Sequence, residues 1–385
     1  MLDYSMKSTM WSLNRKKIII VIFTIQTFLG MGWIASYPYA GYVILVLWAI
    51  SFLFFRYKPL SYVIYGLIVG FVVVFYLFPR TYGSGNVAWH LMLLVFSQFI
   101  FLDRGHFSQI FILFTKSLIF LCIASLLVRI CIYFGLSYPY TYINLDPQYF
   151  NLYWPFYIER LSTSGDISMS LLGNFRFHGP FFEPGALGIA LGVSLYSDLN
   201  RWKLALIIFF GTLSLSMAFF FIGVLRLVEY TVLKKGYKIF GLITALGFGA
   251  FLLMDKNSFI YASSFGRLLG TNDKVLNTRN SIYELEQILL FSQTFSSNIW
   301  GSFLGIGWDT PGSGGSYRVW LLGSGLLGLI LWFFAYLSLI NKFFRIDLNS
   351  VVFRIPCLVI ICYIWGNWMS PLLLFLWYKT DKLEV

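Results

Sequence analysis

The sequence predicts an all-α, polytopic integral membrane protein with about twelve transmembrane helices. Of its 385 residues, 58% are hydrophobic and only 11% are charged, whereas a soluble domain of this size carries about 25% charged residues. Apolar runs close to the ~20 residues needed to cross the hydrocarbon core recur along the chain. No polar stretch is long enough to fold separately, so residues 1–385 are expected to form a single transmembrane domain.

Composition also excludes several classes of function. The net charge of +12 comes mainly from Lys and Arg beside apolar runs, so it reports membrane topology and predicts no nucleic-acid binding. The four cysteines lie in apolar runs, and the chain has no CxxC and no paired histidines. Neither a disulfide framework nor a metal site is therefore predicted, and no cofactor is expected.

Basic residues at Arg15, Lys16 and Lys17 precede the first apolar run, which places the N-terminus in the cytoplasm. This run is long enough to remain as a span, so no cleavable signal peptide is expected. Eight of the spans are predicted over 18–36, 39–55, 60–78, 87–102, 108–134, 184–199, 239–254 and 320–340.

Two further apolar regions each predict a pair of short helices. Residues 204–233 have basic residues at both ends, which requires an even number of crossings and predicts an external turn near Ser214–Ser216. The final pair is predicted over 355–367 and 371–378. Both termini are then cytoplasmic, and two long loops, about 135–183 and 255–319, lie on the outer face.

Arginine is the commoner basic residue in the predicted outer segments. Its planar guanidinium suits bidentate contact with phosphate or carboxylate. Tolerance of charge in long loops, with the bias arising by chance, would also account for the pattern. The outer basic residues are Arg80, Arg160, Arg176, Lys256, Arg267, Lys274, Arg279 and Arg318.

The first outer loop is rich in aromatic residues (YPYTYINLDPQYFNLYWPFY). Such residues anchor segments at the level of the lipid headgroups, and their faces can also stack on sugar rings. Arg160 is a candidate substrate-binding residue here, although a solvated pair with Asp166 would also explain it.

This loop ends in RFHGPFFEPG, residues 176–185, which is the strongest candidate site in the chain. Pro184 is well placed as a first helical residue. Glu183 would then be the N-cap, where its charge favours the helix dipole, or a carboxylate that hydrogen-bonds a substrate hydroxyl. His178 is a candidate general base, although a single loop histidine is usually just solvated.

The second outer loop carries Arg267 and Arg279 before an amphipathic stretch, which predicts a helix over 282–295 lying in the membrane interface. Arg279 would stand before the N-terminus of this helix, a position that favours anions, or would pair with Glu284. The following GIGWDTPGSGGSYR predicts a glycine-rich lip that Arg318 closes.

Lys116, Arg129, Arg226 and Glu229 fall within predicted spans, where a charge is costly. Arg226 and Glu229 are three residues apart on one helical face, so they are expected to pair in a structural role. Arg129 is close enough to the outer end to reach a lipid headgroup. Lys116 has no such explanation from the sequence.

The RFHGPFFEPG segment at the end of a long outer loop resembles the Wzy polysaccharide and O-antigen polymerases of the O-antigen ligase-like superfamily. The serine-rich pair of short spans (LSLSMAFF) and the Arg-bearing second loop with its GxG lip extend this resemblance over roughly residues 135–340.

The resemblance implies a GT-C-like membrane glycosyltransferase that works without metal in the bacterial inner membrane. The substrate would be an undecaprenyl-diphosphate-linked oligosaccharide, and a chain-length regulator would be a possible partner besides the lipid bilayer. By motif match, Arg176, Gly179 and Glu183 carry over, with Glu183 or His178 as the base. Second-loop residues with the same role would be Arg267, Arg279 and Arg318.

Two alternatives stay open at this point. A ligase-like transferase of the same superfamily relies on a second-loop histidine, and the histidines of this chain are His90, His106 and His178. A transporter or flippase for a lipid-linked or anionic substrate would use the charges within spans. Such transporters often have repeated halves, and no internal repeat is evident here.

Overall fold

The computed structural model describes most of the apolar regions and part of each outer loop. Within the described residues the chain is predominantly helical, with one small three-stranded sheet. The predicted helical class is therefore confirmed, with the sheet as an exception. The described ranges are 2–29, 40–55, 59–77, 94–134, 141–146, 149–154, 157–162, 177–181, 184–197, 200–233, 282–297, 299–306, 317–343, 348–364 and 370–378.

The helices follow the apolar runs of the sequence. A 3-10 turn (Phe99–Phe101) follows helical residues 94–98 and precedes the fourth helix. The helices are α1 (Leu2–Leu29), α2 (Ala40–Phe52), α3 (Pro59–Leu77), α4 (Arg104–Tyr133), α5 (Pro184–Ser194), α6 (Arg201–Leu213), α7 (Met217–Leu233), α8 (Ile282–Ser297), α9 (Ile299–Leu304), α10 (Tyr317–Phe343), α11 (Leu348–Ile364) and α12 (Leu372–Phe375).

Several predicted elements have counterparts in the structure. The division of 204–233 is confirmed, because α6 ends at Leu213 and α7 begins at Met217. The amphipathic helix predicted over 282–295 is α8. The predicted span 239–254 lies outside the described residues.

Fewer of the described helices have the length and composition of a membrane span than the sequence predicts. Two stretches are long and apolar enough to cross a membrane, Arg104–Cys131 of α4 and Leu321–Lys342 of α10. The other apolar helices that meet the same test of composition are shorter, at Tyr42–Phe52, Ser61–Gly70 and Gly185–Ser194. The total of about twelve crossings stays a prediction.

Large apolar side chains cover the outside of the bundle as well as its core. On α4, Phe120 and Leu127 lie two turns apart and are 65% and 58% exposed. On α11, Val352 and Val359 have the same spacing and are 67% and 59% exposed. A helix that is apolar on both its packed and its outward faces is typical of a membrane-spanning element.

Aromatic rings fill the core where α1, α4, the 3-10 turn and α12 meet. Phe23 of α1 packs edge-on against Phe99, with ring centroids 4.8 Å apart. Phe111 of α4 stacks on Phe375 of α12 at 4.3 Å. These four residues are almost completely buried, which fixes α1 and α12 against α4.

The aromatic part of the first outer loop forms an antiparallel sheet, which the sequence reading missed. Strands β1 (Thr141–Asp146), β2 (Tyr149–Trp154) and β3 (Tyr157–Ser162) pair in the order β1-β2-β3. The register pairs Thr141 with Tyr153 and Tyr149 with Ser162. Aromatic and β-branched residues favour strands as well as interfaces, and a proline directly follows both β1 and β2 in the sequence. The strand β3 contacts α4.

Helix α10 is interrupted at Gly325, whose φ of 64° and ψ of −174° are not helical. The chain after α9 fills the interruption, since the amide of Ile306 donates to the carbonyl of Leu322 at 2.7 Å. A Cβ on Gly325 would overlap the backbone of Phe303 and Gly305. Gly305, the first residue of the predicted lip, therefore packs directly on the backbone of α10 at Gly323 and Gly325.

The C-terminal segment corrects the predicted short crossing at 371–378. The helix there, α12, is a single turn, and residues 370–377 are buried. One turn rises about 5 Å, far less than the thickness of a bilayer. The indole of Trp377 donates to the Tyr336 hydroxyl at 2.6 Å, so the segment packs inside the bundle against α10. Its apolar residues reflect burial in protein, which hydropathy does not distinguish from burial in lipid.

Candidate functional site

The central residues of the RFHGPFFEPG segment, 177–181, are all buried. The amide of Phe177 donates to the carbonyl of Leu213 at 3.0 Å, which ties the segment to the end of α6. The amide of Phe181 donates to the carbonyl of His178 at 3.2 Å and closes a tight turn. The ring of Phe177 stacks on Phe210 with centroids 5.6 Å apart. Backbone bonds and ring packing therefore fix this segment at the start of α5.

Gly179 allows the turn to form. Its φ of 59° lies in the left-handed region that L side chains rarely adopt. A Cβ at this position would also stand 3.3 Å from Leu187 Cδ2 of α5, which is tighter than ordinary packing. The motif match predicts that Gly179 binds substrate. The structure shows a separate, conformational need for glycine at this position.

The turn between α6 and α7 follows Leu213, whose carbonyl accepts the hydrogen bond from Phe177. Leu215 has a φ of 47°, a conformation that is uncommon for a residue other than glycine. Ser214 stabilises the turn by donating to the carbonyl of Gly211 at 2.7 Å and accepting from the amide of Ser216 at 3.3 Å. Both serines are buried. The predicted serine-rich turn is thus a rigid corner that supports residues 177–181.

Helix α5 begins at Pro184, as predicted. It packs closely on α7 through glycines one turn apart: a Cβ on Gly188 would overlap the side chain of Ser216, and one on Gly192 would lie 3.1 Å from Ile222. Small residues at this spacing let two helices approach within backbone contact distance. This contact joins the helix that starts at the motif to the corner beneath it.

The structure places four of the predicted site residues. His178 and Gly179 lie together in the buried turn. Arg160 is on β3, opposite Asn151 of β2. Arg318 is the second residue of α10. The other four, Arg176, Glu183, Arg267 and Arg279, lie outside the described residues.

His178 is only 4% exposed, although a solvated loop histidine was one reading of the sequence. Its ring is enclosed among the packed elements that hold the turn. In this conformation the imidazole does not reach solvent freely, so a direct encounter with a substrate hydroxyl would require the turn to open.

A second cluster of charged residues lies between α5, α7 and α11. Glu229 is completely buried and accepts from Arg226 Nη1 at 2.8 Å, as the predicted pairing requires. It also accepts from Arg354 Nε at 3.0 Å. The guanidinium carbons of Arg226 and Arg354 stand 4.6 and 5.4 Å from the ring centroid of Tyr196.

Arg354 was not predicted from the sequence, because the first helix of the final short pair was predicted to begin at 355. Helix α11 begins at Leu348, so Arg354 falls within an apolar helix (VVFRIPCLV). A buried arginine in such a run requires a partner. Glu229 is an acidic residue in another predicted span, so the sequence already contained a candidate partner for Arg354.

The remaining charges within predicted spans do not join this cluster. Lys116 is exposed on α4, and Arg129 is partly buried on the same helix. The four cysteines are free thiols. Across the described part of the chain, no group of three His, Cys, Asp or Glu side chains is arranged to hold a metal ion.

Comparison with known proteins identified no match to this chain. No protein-family model matches the chain, and no curated protein and no solved structure matches it either.

Proposed function

We propose that this chain is a membrane-embedded glycosyltransferase that polymerises lipid-linked oligosaccharide units at the outer face of a bacterial inner membrane. The observation that carries the proposal is the fixed turn at residues 177–181, held by the α6–α7 corner at the start of α5. Arg176 and Glu183 flank this turn in sequence. A rigid support of this kind holds reactive groups in the geometry that catalysis requires.

The proposed topology is a multi-pass protein with both termini in the cytoplasm. Two helices of spanning length and the apolar outward faces of the bundle support a membrane location. Arg15, Lys16 and Lys17, which precede the apolar part of α1, and the basic residues at the start of α6 support the orientation. The β-sheet and the glycine-rich lip then lie on the outer side.

The reaction transfers the growing glycan from undecaprenyl diphosphate to an acceptor sugar. The acceptor hydroxyl oxygen bonds to the anomeric carbon of the glycan, and the bond from that carbon to the diphosphate oxygen breaks. Undecaprenyl diphosphate leaves with the bonding electrons, and the hydroxyl proton passes to a base. Negative charge therefore develops on the leaving diphosphate.

Glu183 is the better candidate for the base. It adjoins the first residue of α5, whereas His178 is enclosed at 4% exposure. His178 is then a positioning residue that shapes the turn. A carboxylate needs only to accept a hydrogen bond from the hydroxyl and take its proton as the new bond forms.

Arginines stabilise the leaving diphosphate in this mechanism. Arg176 adjoins the fixed turn in sequence. Arg318 is in the first turn of α10, directly after the glycine-rich lip in the sequence. Arg267 and Arg279 belong to the same outer loop as the lip, and Arg160 is on β3. Each charge-assisted contact is worth about 1.5–3 kcal/mol, and it acts on charge that develops in the transition state.

The alternative of transport is less favoured by the described residues. It requires Lys116, Arg129 and Arg226 to line one path. Instead Arg226 is bonded to Glu229 on the same helix, while Lys116 is exposed on α4.

Alanine substitution of single residues tests the proposal. Arg176→Ala, Arg279→Ala and Glu183→Ala are each expected to abolish long-chain surface polysaccharide, because each removes a group that acts on the transition state. The readout is the glycan length distribution on gels, with immunoblotting of membranes to show that each variant inserts.

The matched control is Arg201→Ala. Arg201 is an exposed arginine at the start of α6, away from the fixed turn at the other end of that helix. It is expected to keep the wild-type chain length. Normal chain length in the three site variants would refute the proposal.

A further inference from the structure

The cluster around Glu229 carries an unbalanced charge. Two guanidinium groups, Arg226 and Arg354, contact one carboxylate, and within the described residues no other acidic side chain contacts either arginine. The three described groups therefore carry one net positive charge, and Glu229 is completely buried. Uncompensated charge in such a place is unfavourable, so an anion that neutralised it would bind favourably.

Tyr196 orients the two arginines but does not neutralise them. Its ring lies within 6 Å of both guanidinium carbons, a distance at which the ring face attracts cations. Its hydroxyl lies 3.4 Å from Cys357 Sγ of α11. Neither contact brings a second carboxylate to the cluster.

Both guanidiniums have N–H groups left for a ligand. Arg226 uses Nη1 on Glu229, and Arg354 uses Nε. No further hydrogen bond of either group is formed among the described residues. The Arg226 side chain is 16% exposed and that of Arg354 is 5% exposed, so the cluster has an accessible edge on the Arg226 side.

The position of the cluster indicates where the anion would come from. Glu229 lies in the last turns of α7, and Lys234, Lys235 and Lys238 follow this helix in sequence. Tyr196 follows the end of α5. In the proposed topology these helix ends face the cytoplasm, where the leaflet is rich in anionic lipids and basic pockets between helices bind their headgroups.

We propose that Arg226 and Arg354, held in place by Glu229 and Tyr196, form a binding site for a phosphate group, as carried by an anionic phospholipid of the cytoplasmic leaflet. This inference rests on the proposed membrane topology and is independent of glycosyl transfer. A phosphodiester carries one negative charge, which matches the net charge of the cluster. Guanidinium groups bind phosphate oxygens in pairs of hydrogen bonds.

Lipid retention by the purified full-length protein tests the site. The protein in neutral detergent is mixed with phosphatidylglycerol or phosphatidylcholine, and native mass spectrometry measures the bound lipid. The wild type is expected to retain phosphatidylglycerol at least about tenfold more strongly, as one charge-assisted contact or more requires. Arg226→Gln and Arg354→Gln are expected to lose most of this preference.

Two further variants separate a binding site from a purely structural cluster. Lys116→Gln removes an exposed cation from another predicted span and is expected to keep the preference for phosphatidylglycerol. Glu229→Gln leaves two positive charges without a carboxylate. It is expected to lower the Tm but to raise phosphatidylglycerol retention, whereas a structural cluster would give only the lower Tm.

A thermal-shift assay with inorganic phosphate identifies the source of the anion. A Tm increase with millimolar phosphate that Arg354→Gln abolishes would assign the site to free phosphate, and an increase with phosphatidylglycerol alone would assign it to the lipid. The proposal fails if the wild type shows no preference for phosphatidylglycerol and no Tm increase with phosphate. It fails equally if Arg226→Gln, Arg354→Gln and Lys116→Gln all retain the wild-type preference. The wild-type measurement can overturn the proposal even if a variant does not fold.

Discussion

Glu229 joins α7 to α11 inside an apolar bundle, and its two arginine partners extend the contact to the tyrosine at the end of α5. It is on α7, its partner Arg354 is on α11, and the ring of Tyr196 lies at the end of α5. A buried ion pair adds little compared with apolar packing, but removing one partner leaves the others uncompensated. The cluster therefore makes the bundle sensitive to substitutions at any of these positions.

Substitution of Glu229 tests this sensitivity. Glu229→Ala leaves Arg226 and Arg354 facing each other, and we expect a loss of about 3–5 kcal/mol in the free energy of unfolding. Thermal unfolding in detergent provides the measurement. The triple variant Arg226→Met, Glu229→Leu, Arg354→Met removes the charges together and should recover most of the Tm. A single variant with the wild-type Tm would contradict this account.

The parts of the candidate site that depend on local sequence could be predicted. Pro184 was correctly predicted as the first residue of a helix, because a helix-starting proline is a local feature. The substrate-binding role of Gly179 stays a prediction, and its left-handed conformation is a finding of the structure. The burial of His178 was not predictable, since it depends on Phe177 bonding to Leu213, which is distant in sequence. Arg354 was missed because the helix was predicted to begin at 355, whereas it begins at Leu348.

At the scale of helices, the contact between α5 and α7 supports the fixed turn at the candidate site. Gly188 touches Ser216 and Gly192 faces Ile222, so this face of α5 has no room for larger side chains. Van der Waals contact of this kind is a main source of association between helices in lipid.

A pair of alanine variants on α5 measures the importance of this contact. Gly188→Ala is expected to destabilise the protein by about 1–3 kcal/mol, because the added Cβ forces α7 away. Gly185→Ala is the matched control, since a Cβ there meets nothing within 4 Å. A clear Tm decrease for Gly188→Ala only is expected. Equal Tm values for the two variants would show that the helices tolerate separation.

Helices were more predictable than the other elements. The breaks between α6 and α7 and before α8 follow from charge and polarity patterns in the sequence. The three-stranded sheet was missed because its aromatic residues suit an interface as well as a strand. The short helix α12 was read as a crossing because burial in protein and burial in lipid select the same apolar residues.

The described part of the molecule combines a packed aromatic core with helices that carry large apolar side chains on their outward faces. Under the proposed function, these outward faces would lie in the bilayer beside the lipid tail of the substrate. The lipid would be accepted within the bilayer while the outer loops hold the glycan. The fixed turn at residues 177–181 lies between the sheet and α5 in sequence.

The most direct test of glycan polymerisation is the length distribution of surface polysaccharide in strains with and without this chain. The account predicts that deletion removes long chains and that single repeat units accumulate on undecaprenyl diphosphate at the outer face. Re-expression of the wild type should restore long chains. Unchanged chain lengths after deletion, or lipid-linked units trapped on the cytoplasmic face, would contradict it.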